Sequence, residues 1–144
     1  VKSDWRCPLE TVAVGTGRKL HEGSDVAVLS VGPIGNDVAK AIEELSSVAG
    51  APTVAHYDMR FVKPLDEQLL HEVGKRFSRV ITIEDGVRNG GMGSAVMEWM
   101  ADHGYRCRVQ RMGLPDAFVE HGTVNELHKL VGLDIESIKN EILR

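Results

Sequence analysis

Two kinds of hydrophobic pattern alternate along the chain. Nearly continuous apolar runs, such as Val26 to Val31 ("VAVLSV") and "RVITIE" at 79–84, mark strands buried on both faces. "PTVAHYD" at 52–58 and "RCRVQRM" at 106–112 read as further strands. Between the runs, apolar residues recur three and four positions apart: Val38, Ala41, Ile42 and Leu45; Leu69, Leu70 and Val73; Ala95, Val96, Trp99 and Met100; Ile135, Ile138, Ile142 and Leu143. That spacing lines one face of a helix. Asn36 and Asp66 stand where helix caps belong, Gly50 and Gly104 where helices end, and Asp134 where the last helix opens. "TVNE" at 123–126 matches a capping box ahead of one more short helix.

Strand and helix alternating at this spacing predict right-handed parallel crossovers and an α/β fold, a three-layer α/β/α sandwich. One pair departs from the rule. "GRKLHEGSDVAVLSVG" holds two strand candidates around the turn Glu22-Gly23-Ser24-Asp25, a connection too short for a crossover, so these two strands run antiparallel. Only the first strand is expected to run against the others. Residues 1–144 are read as a single domain with an irregular lead-in at 1–11.

Length and composition narrow the class of function. With 144 residues, 42% hydrophobic and 26% charged, the chain suits one ordinary soluble domain. A net charge of −4 carries no basic footprint for nucleic acid or an anionic membrane surface. No apolar run reaches the roughly 18 residues of a membrane span, and no charged-then-apolar leader opens the chain. Cys7 and Cys107, two and far apart, argue against a disulfide framework and for a cytoplasmic, reducing setting. The first residues, Val1-Lys2-Ser3-Asp4, lack an initiator methionine, which reads as a piece of something longer.

Candidate chemistry concentrates in "EDGVRNGGMGSAVMEWM", residues 84–100. Its glycines match neither the P-loop, which needs a lysine before Ser/Thr, nor the dinucleotide fingerprint, since Gly91-Met92-Gly93 is followed by Ser94, Ala95 and Val96. Backbone amides at the following helix start can hold an anion, but Glu84 and Asp85 just ahead repel one. A structural turn is the favoured reading. Glu84 and Asp85 end a strand, where α/β proteins often place chemistry; capping or solvating the loop is preferred over acid–base work, because no nucleophile or histidine is tied to them.

The six histidines at 21, 56, 71, 103, 121 and 128 form no metal-binding spacing, and neither cysteine has a Cys-x-x-Cys partner. His121, in "PDAFVEHG", sits in a loop after a strand and is the best single candidate for contacting a ligand or partner. "DMRFVKPLD" at 58–66 sets an exposed Arg60, then Phe61 and Val62, between charges. It reads equally as a loop covering the sheet and as a docking surface.

Together, "PLETVAVGTGRKLHEGSDVAVLSVG", "YDMRFVKPLD", "VITIEDGVRNGGMGSAV" and "MGLPDAFVEHGTVNEL" resemble the C-terminal domain of transketolase-type thiamine diphosphate enzymes, most closely the 1-deoxy-D-xylulose-5-phosphate synthase family. The resemblance runs from about Cys7 to the C-terminus. It implies a five-stranded mixed sheet of order 1-3-2-4-5 with strand 1 antiparallel. It also implies a homodimeric magnesium- and thiamine diphosphate-dependent transferase, condensing pyruvate with glyceraldehyde 3-phosphate for isoprenoid, thiamine and pyridoxal biosynthesis. Its N-terminal domains would hold the cofactor. No Gly-Asp-Gly with a downstream Asn-bearing stretch occurs here, so no catalytic, cofactor-binding or metal residue of the family transfers to this chain, and the fragment alone is expected to be inactive. What transfers is an assembly role, with Arg60, Phe61, Glu84, Asp85, Gly91, Gly93 and His121 as candidate interface or ligand contacts. Two alternatives stand beside it. One is the equivalent domain of a transketolase or two-oxoacid dehydrogenase β-subunit; the other is a free-standing regulatory domain binding a ligand near Gly32–Gly35 and Glu84–Gly93.

Overall fold

A computed structural model describes residues 6–8 and 10–144. Most of the lead-in predicted at 1–11 therefore lies outside the described residues. The elements are β1 (Arg18–His21), β2 (Val26–Val31), α1 (Gly35–Leu45), β3 (Val54–Asp58), α2 (Glu67–Arg76), β4 (Arg79–Val87), α3 (Met92–Asp102), β5 (Arg108–Leu114), α4 (Val124–Val131) and α5 (Ile135–Leu143). They form a five-stranded sheet of order β1-β3-β2-β4-β5. β2, β3, β4 and β5 pair in parallel, and β1 pairs antiparallel with β3.

Strand pleating splits the core into two layers. Val26, Val28, Ile81 and Ile83 face Val38, Ile42 and Leu45 of α1 and Ile138 and Ile142 of α5. Ala27, Leu29, Tyr57 and Val80 face Leu70 and Val73 of α2 and Val96 and Met100 of α3. Both faces of the sheet are thus covered, as a parallel sheet requires. Among the described residues, no helix is long and apolar enough to cross a membrane.

The first two strands do run in opposite directions, but they are not neighbours: β3 lies between them. Their connection passes across the start of β3 instead of closing a hairpin. Ser24 N donates to Thr53 Oγ1 (3.0 Å), and Thr53 N and Oγ1 both donate to Asp25 Oδ2 (2.7 and 2.6 Å). The crossing is so close that a Cβ on Gly23 would lie 2.2 Å from the Val54 carbonyl carbon.

Helix ends show where local chemistry was read well and where it was not. Asp66 Oδ1 accepts from Leu69 N (2.9 Å) as the N-cap of α2, and Thr123 and Glu126 form the capping box of α4. Asn36 is no cap. It lies inside α1, whose N-cap position is Ile34, and its side chain donates back to Pro33 O (3.0 Å). The same helix ends at Leu45, so Gly50, at φ +80°, shapes the turn beyond it and not its last residue. Asp134 occupies the N-cap of α5 without a side-chain cap to the backbone, holding Ser137 Oγ instead. In the last two helical stripes, Ala95 and Trp99 are only half-buried, and Leu143 is exposed.

Candidate functional site

Because β2, β3, β4 and β5 are parallel, the segments that follow them all emerge along one edge of the sheet. The candidates in 58–66 and 84–93 lie at or after the ends of β3 and β4 along that edge, the usual location of chemistry in open α/β sheets, and His121 follows β5.

At the end of β4, the α3 N-terminus already holds an anion: the protein's own. Glu84 is 7% exposed. Its Oε2 accepts from Met92 N (2.8 Å) and its Oε1 from Gly93 N (2.9 Å). These amides are the unpaired donors of a helix start, and the carboxylate also faces the positive end of the helix dipole. Glu84 thus fills the position an external phosphate would take. The glycines make this possible by leaving space. A Cβ on Gly91 would lie 2.4 Å from Glu84 Oε2, and one on Gly93 would lie 2.4 Å from Thr82 Oγ1. Left-handed backbone belongs to neither: Gly91 has φ −82°, Gly93 is helical, and Gly90 takes φ +78°. Asp85 points away from this arrangement, exposed, with its Oδ2 3.6 Å from His128 Nε2.

At the end of β3, two aspartates organise "DMRFVKPLD". Asp58 Oδ1 accepts from Arg60 N (3.2 Å), while its Oδ2 lies 3.3 Å from Arg18 Nε and 3.7 Å from Arg60 Nε. Asp66 caps α2 with one oxygen and accepts Gly17 N (2.8 Å) with the other. Arg60 is not freely exposed as expected; its side chain is 28% accessible and engaged with Asp58. Its backbone sits at φ +57°, inside a three-residue turn closed by Phe61 N donating to Met59 O. A left-handed non-glycine residue persists only where its surroundings hold it, and here Asp58 does so. Phe61 is half-buried and Val62 is exposed. The Lys63–Pro64 peptide is cis, and Gly15 approaches Pro64 so closely that a Cβ would lie 2.8 Å from Pro64 Cγ.

Near the end of β2, Ser30 Oγ lies 2.8 Å from His56 Nε2, both side chains buried. Burial pushes the His56 pKa down to about 4. A Ser–His pair suggests nucleophilic chemistry, but the first turn of α1 closes over this one: a Cβ on Gly35 would lie 2.8 Å from Ser30 Oγ. The pair is a buried polar contact of the fold. After β5, residues 115–123 carry no helix or strand, His121 is exposed, and Phe118 is fully exposed. Val12, Val14, Val62 and Val87 are also exposed. Among the described residues, no group of three or more His, Cys, Asp or Glu side chains could hold a metal ion.

The description "Transketolase, C-terminal domain" fits residues 15–138, most of the chain. The chain belongs to the transketolase C-terminal domain family. Among curated relatives, it is 57% identical over 141 residues to 1-deoxy-D-xylulose-5-phosphate synthase of Bacteroides thetaiotaomicron, covering 98% of this chain and 22% of the relative. It is 55% identical to the synthase of Bacteroides fragilis, with the same two coverages. The chain therefore spans about a fifth of the length of the curated relatives it matches. A solved structure described as "Split gene transketolase, inactive beta4 tetramer" superposes with a TM-score of 0.83 at 30% identity, over 91% of this chain and 42% of that one.

Within this transketolase C-terminal domain, the candidates share an edge but do not converge on one enclosed centre. Sequence reading also passed over two clusters. His71 Nδ1 lies 2.7 Å from Tyr105 Oη, and the His71 ring packs edge-on to Trp99, which stacks on His103 at 3.9 Å. The second gathers Arg88, Arg108 and Arg111 around one surface cleft. The spacing of charges in "RCRVQR" was its only sequence signal, and it does not reveal that Arg88 joins from another loop.

Proposed function

We propose that this chain is the C-terminal assembly domain of a 1-deoxy-D-xylulose-5-phosphate synthase. The intact enzyme condenses pyruvate with glyceraldehyde 3-phosphate, releasing carbon dioxide, and feeds isoprenoid, thiamine and pyridoxal biosynthesis. The observation that carries this reading is the alignment of nearly the whole chain with only 22% of synthases more than half identical to it. The remaining length is where the thiamine diphosphate and magnesium sites belong.

This chain's residues do not fit that cofactor. The α3 amides that would receive a diphosphate are bonded to Glu84, and the described residues supply no metal-binding cluster. Its part is to dock. The exposed apolar side chains Phe118, Val62, Val87 and Val14, and the Arg60 turn at the end of β3, suit a partly apolar interface with the N-terminal domains of the same chain or of a homodimer partner. Arg60, Phe61 and His121 are the contacts proposed there. Glu84, Asp85, Gly91 and Gly93 shape the edge from within. A reducing cytoplasm suits Cys7 and Cys107, which are free thiols.

Calorimetric titration tests the division of labour. The isolated chain should bind no thiamine diphosphate with magnesium, whereas the full-length protein should bind it stoichiometrically. Stoichiometric micromolar binding by the isolated chain would overturn the reading.

A further inference from the structure

We propose that Arg88, Arg108 and Arg111 form a binding pocket for a phosphate-bearing small molecule, separate from the docking role and independent of the family assignment. Arg88, Arg108 and Arg111 line one cleft of about 290 Å³ together with Val109 and Gln110, and no acidic residue lines it. Five arginines elsewhere in the molecule find acids, while the exposed Arg106 pairs with none among the described residues. Arg18 and Arg60 meet Asp58, Arg76 meets Glu72, and Arg79 and Arg144 meet Glu141. Among the described residues, Arg88, Arg108 and Arg111 meet none. In a chain of net charge −4, three uncompensated cations on one concavity leave an open electrostatic demand.

The cleft is also organised in advance. Arg111 Nη1 donates to Arg88 O (3.0 Å) and to Ser94 Oγ (2.7 Å), which fixes the guanidinium plane and leaves its other nitrogens to a ligand. Ser94 Oγ in turn donates to Arg88 O (3.1 Å) and accepts from Gly90 N (3.0 Å). The chain carrying Arg88 is held against β5 by Arg88 N donating to Leu114 O (2.9 Å). Gly113 permits the approach: a Cβ there would lie 3.2 Å from Arg88 Cα. The acids nearest in sequence to Arg88 are Asp85, whose Oδ2 lies 3.6 Å from His128 Nε2, and Glu84, turned inward onto the α3 amides; neither pairs with the three arginines.

Charged residues on an edge strand also discourage pairing with other sheets. That role asks only for charges on β5 itself. It does not account for a third guanidinium delivered by a different loop, or for one locked by two hydrogen bonds. Planar guanidinium forks match phosphate oxygens, and an open cleft of this size fits one or two phosphoryl groups rather than a large apolar ligand.

The test titrates the 144-residue chain with inorganic phosphate, pyrophosphate and glucose 6-phosphate at constant ionic strength, following backbone amides by NMR. Saturable shifts confined to residues 86–94 and 108–113 are expected, strongest for pyrophosphate. Arg88→Gln and Arg108→Gln, whose side chains hold no other described residue, should each weaken binding about tenfold, the loss expected for one charge-assisted hydrogen bond. Arg111→Lys should weaken it while leaving the unfolding midpoint close to wild type. Equal shifts with sodium chloride, or binding unchanged in both glutamine variants, would overturn the proposal.

Discussion

Two segments leave the same edge of the sheet in opposite states of completion. Late in β4, a buried carboxylate satisfies the helix amides behind it, and the missing side chain of Gly91 leaves room for it. After β5, residues 115–123 run without helix or strand and end on a capping box, with Phe118 fully outside. Helix α4, which follows, has no buried residue at all. The first segment is finished by its own chain. The second carries apolar surface that its own chain does not cover, and such surface marks an interaction site when it is grouped. Proximity to an α/β edge therefore does not by itself identify a binding loop; what matters is which polar and apolar groups remain unsatisfied.

The finished segment should be the costlier to disturb. Glu84→Ala leaves two buried amides without acceptors, and a loss of about 3 to 4 kcal/mol is expected in urea unfolding of the isolated chain. A loss under about 1 kcal/mol would mean that water replaces the carboxylate freely, and the contrast between the two segments would fail.

The closed side of the edge also carries a pH signature. His56 titrates at about 4 when folded against an ordinary 6.5, so the unfolded chain binds the extra proton across that interval. Stability is complete above pH 6.5 and falls as pH drops towards 4, by about 3 kcal/mol in total. Unfolding midpoints measured from pH 7 down to pH 4.5 check this. A flat profile, or an unchanged slope in His56→Gln, would remove His56 from the account.

Gly91→Ala comes next, at about 2 kcal/mol, because its Cβ would collide with the bonded Glu84 carboxylate and with the Val87 carbonyl oxygen, 2.6 Å away. If Gly91→Ala costs less in the Glu84→Ala background than beside Glu84, the collision with the carboxylate accounts for the difference, and the cost that remains belongs to Val87 O. Additive losses would point elsewhere.

The smallest effect on stability belongs to the unfinished segment. Phe118→Ser should change the isolated chain by less than about 0.5 kcal/mol, as at an exposed site. In the full-length protein the same change, like Arg60→Ala or Phe61→Ser, should weaken dimerisation or interdomain docking in sedimentation. Unchanged sedimentation, thermal stability and activity for all three would leave these loops as mere covering.

The sequence made the layers legible because burial imposes a period: Val38, Ala41, Ile42 and Leu45 share a buried face as read, whereas the α3 and α5 stripes are buried only in part. The caps at Asp66 and Thr123 were legible for a similar reason, since a short polar side chain bonding nearby amides is local chemistry. Asn36 misled because the turn at Gly32 to Ile34 leads straight into the helix, its carbonyls accepting from the amides of Gly35, Asn36 and Asp37, and no side-chain cap is used. The neighbours of β1 were not legible in the residues themselves, because strand adjacency is a non-local fact; the order 1-3-2-4-5 came from the family resemblance, and the sheet has it, with the chain crossing the start of β3 at Gly23. At the candidate edge, sequence reading saw that the glycines serve geometry. At Gly91 and Gly93 that geometry is space for Glu84 and Thr82, not left-handed backbone.

Hydrogen exchange, compared between the isolated chain and the full-length protein, tests the docking claim most directly. Amides in 60–64 and 115–123 should gain protection in the full-length protein, while Met92 and Gly93, already bonded to Glu84, should exchange alike in both. Equal exchange of both loops in the two proteins would contradict the assignment of this edge as the docking face.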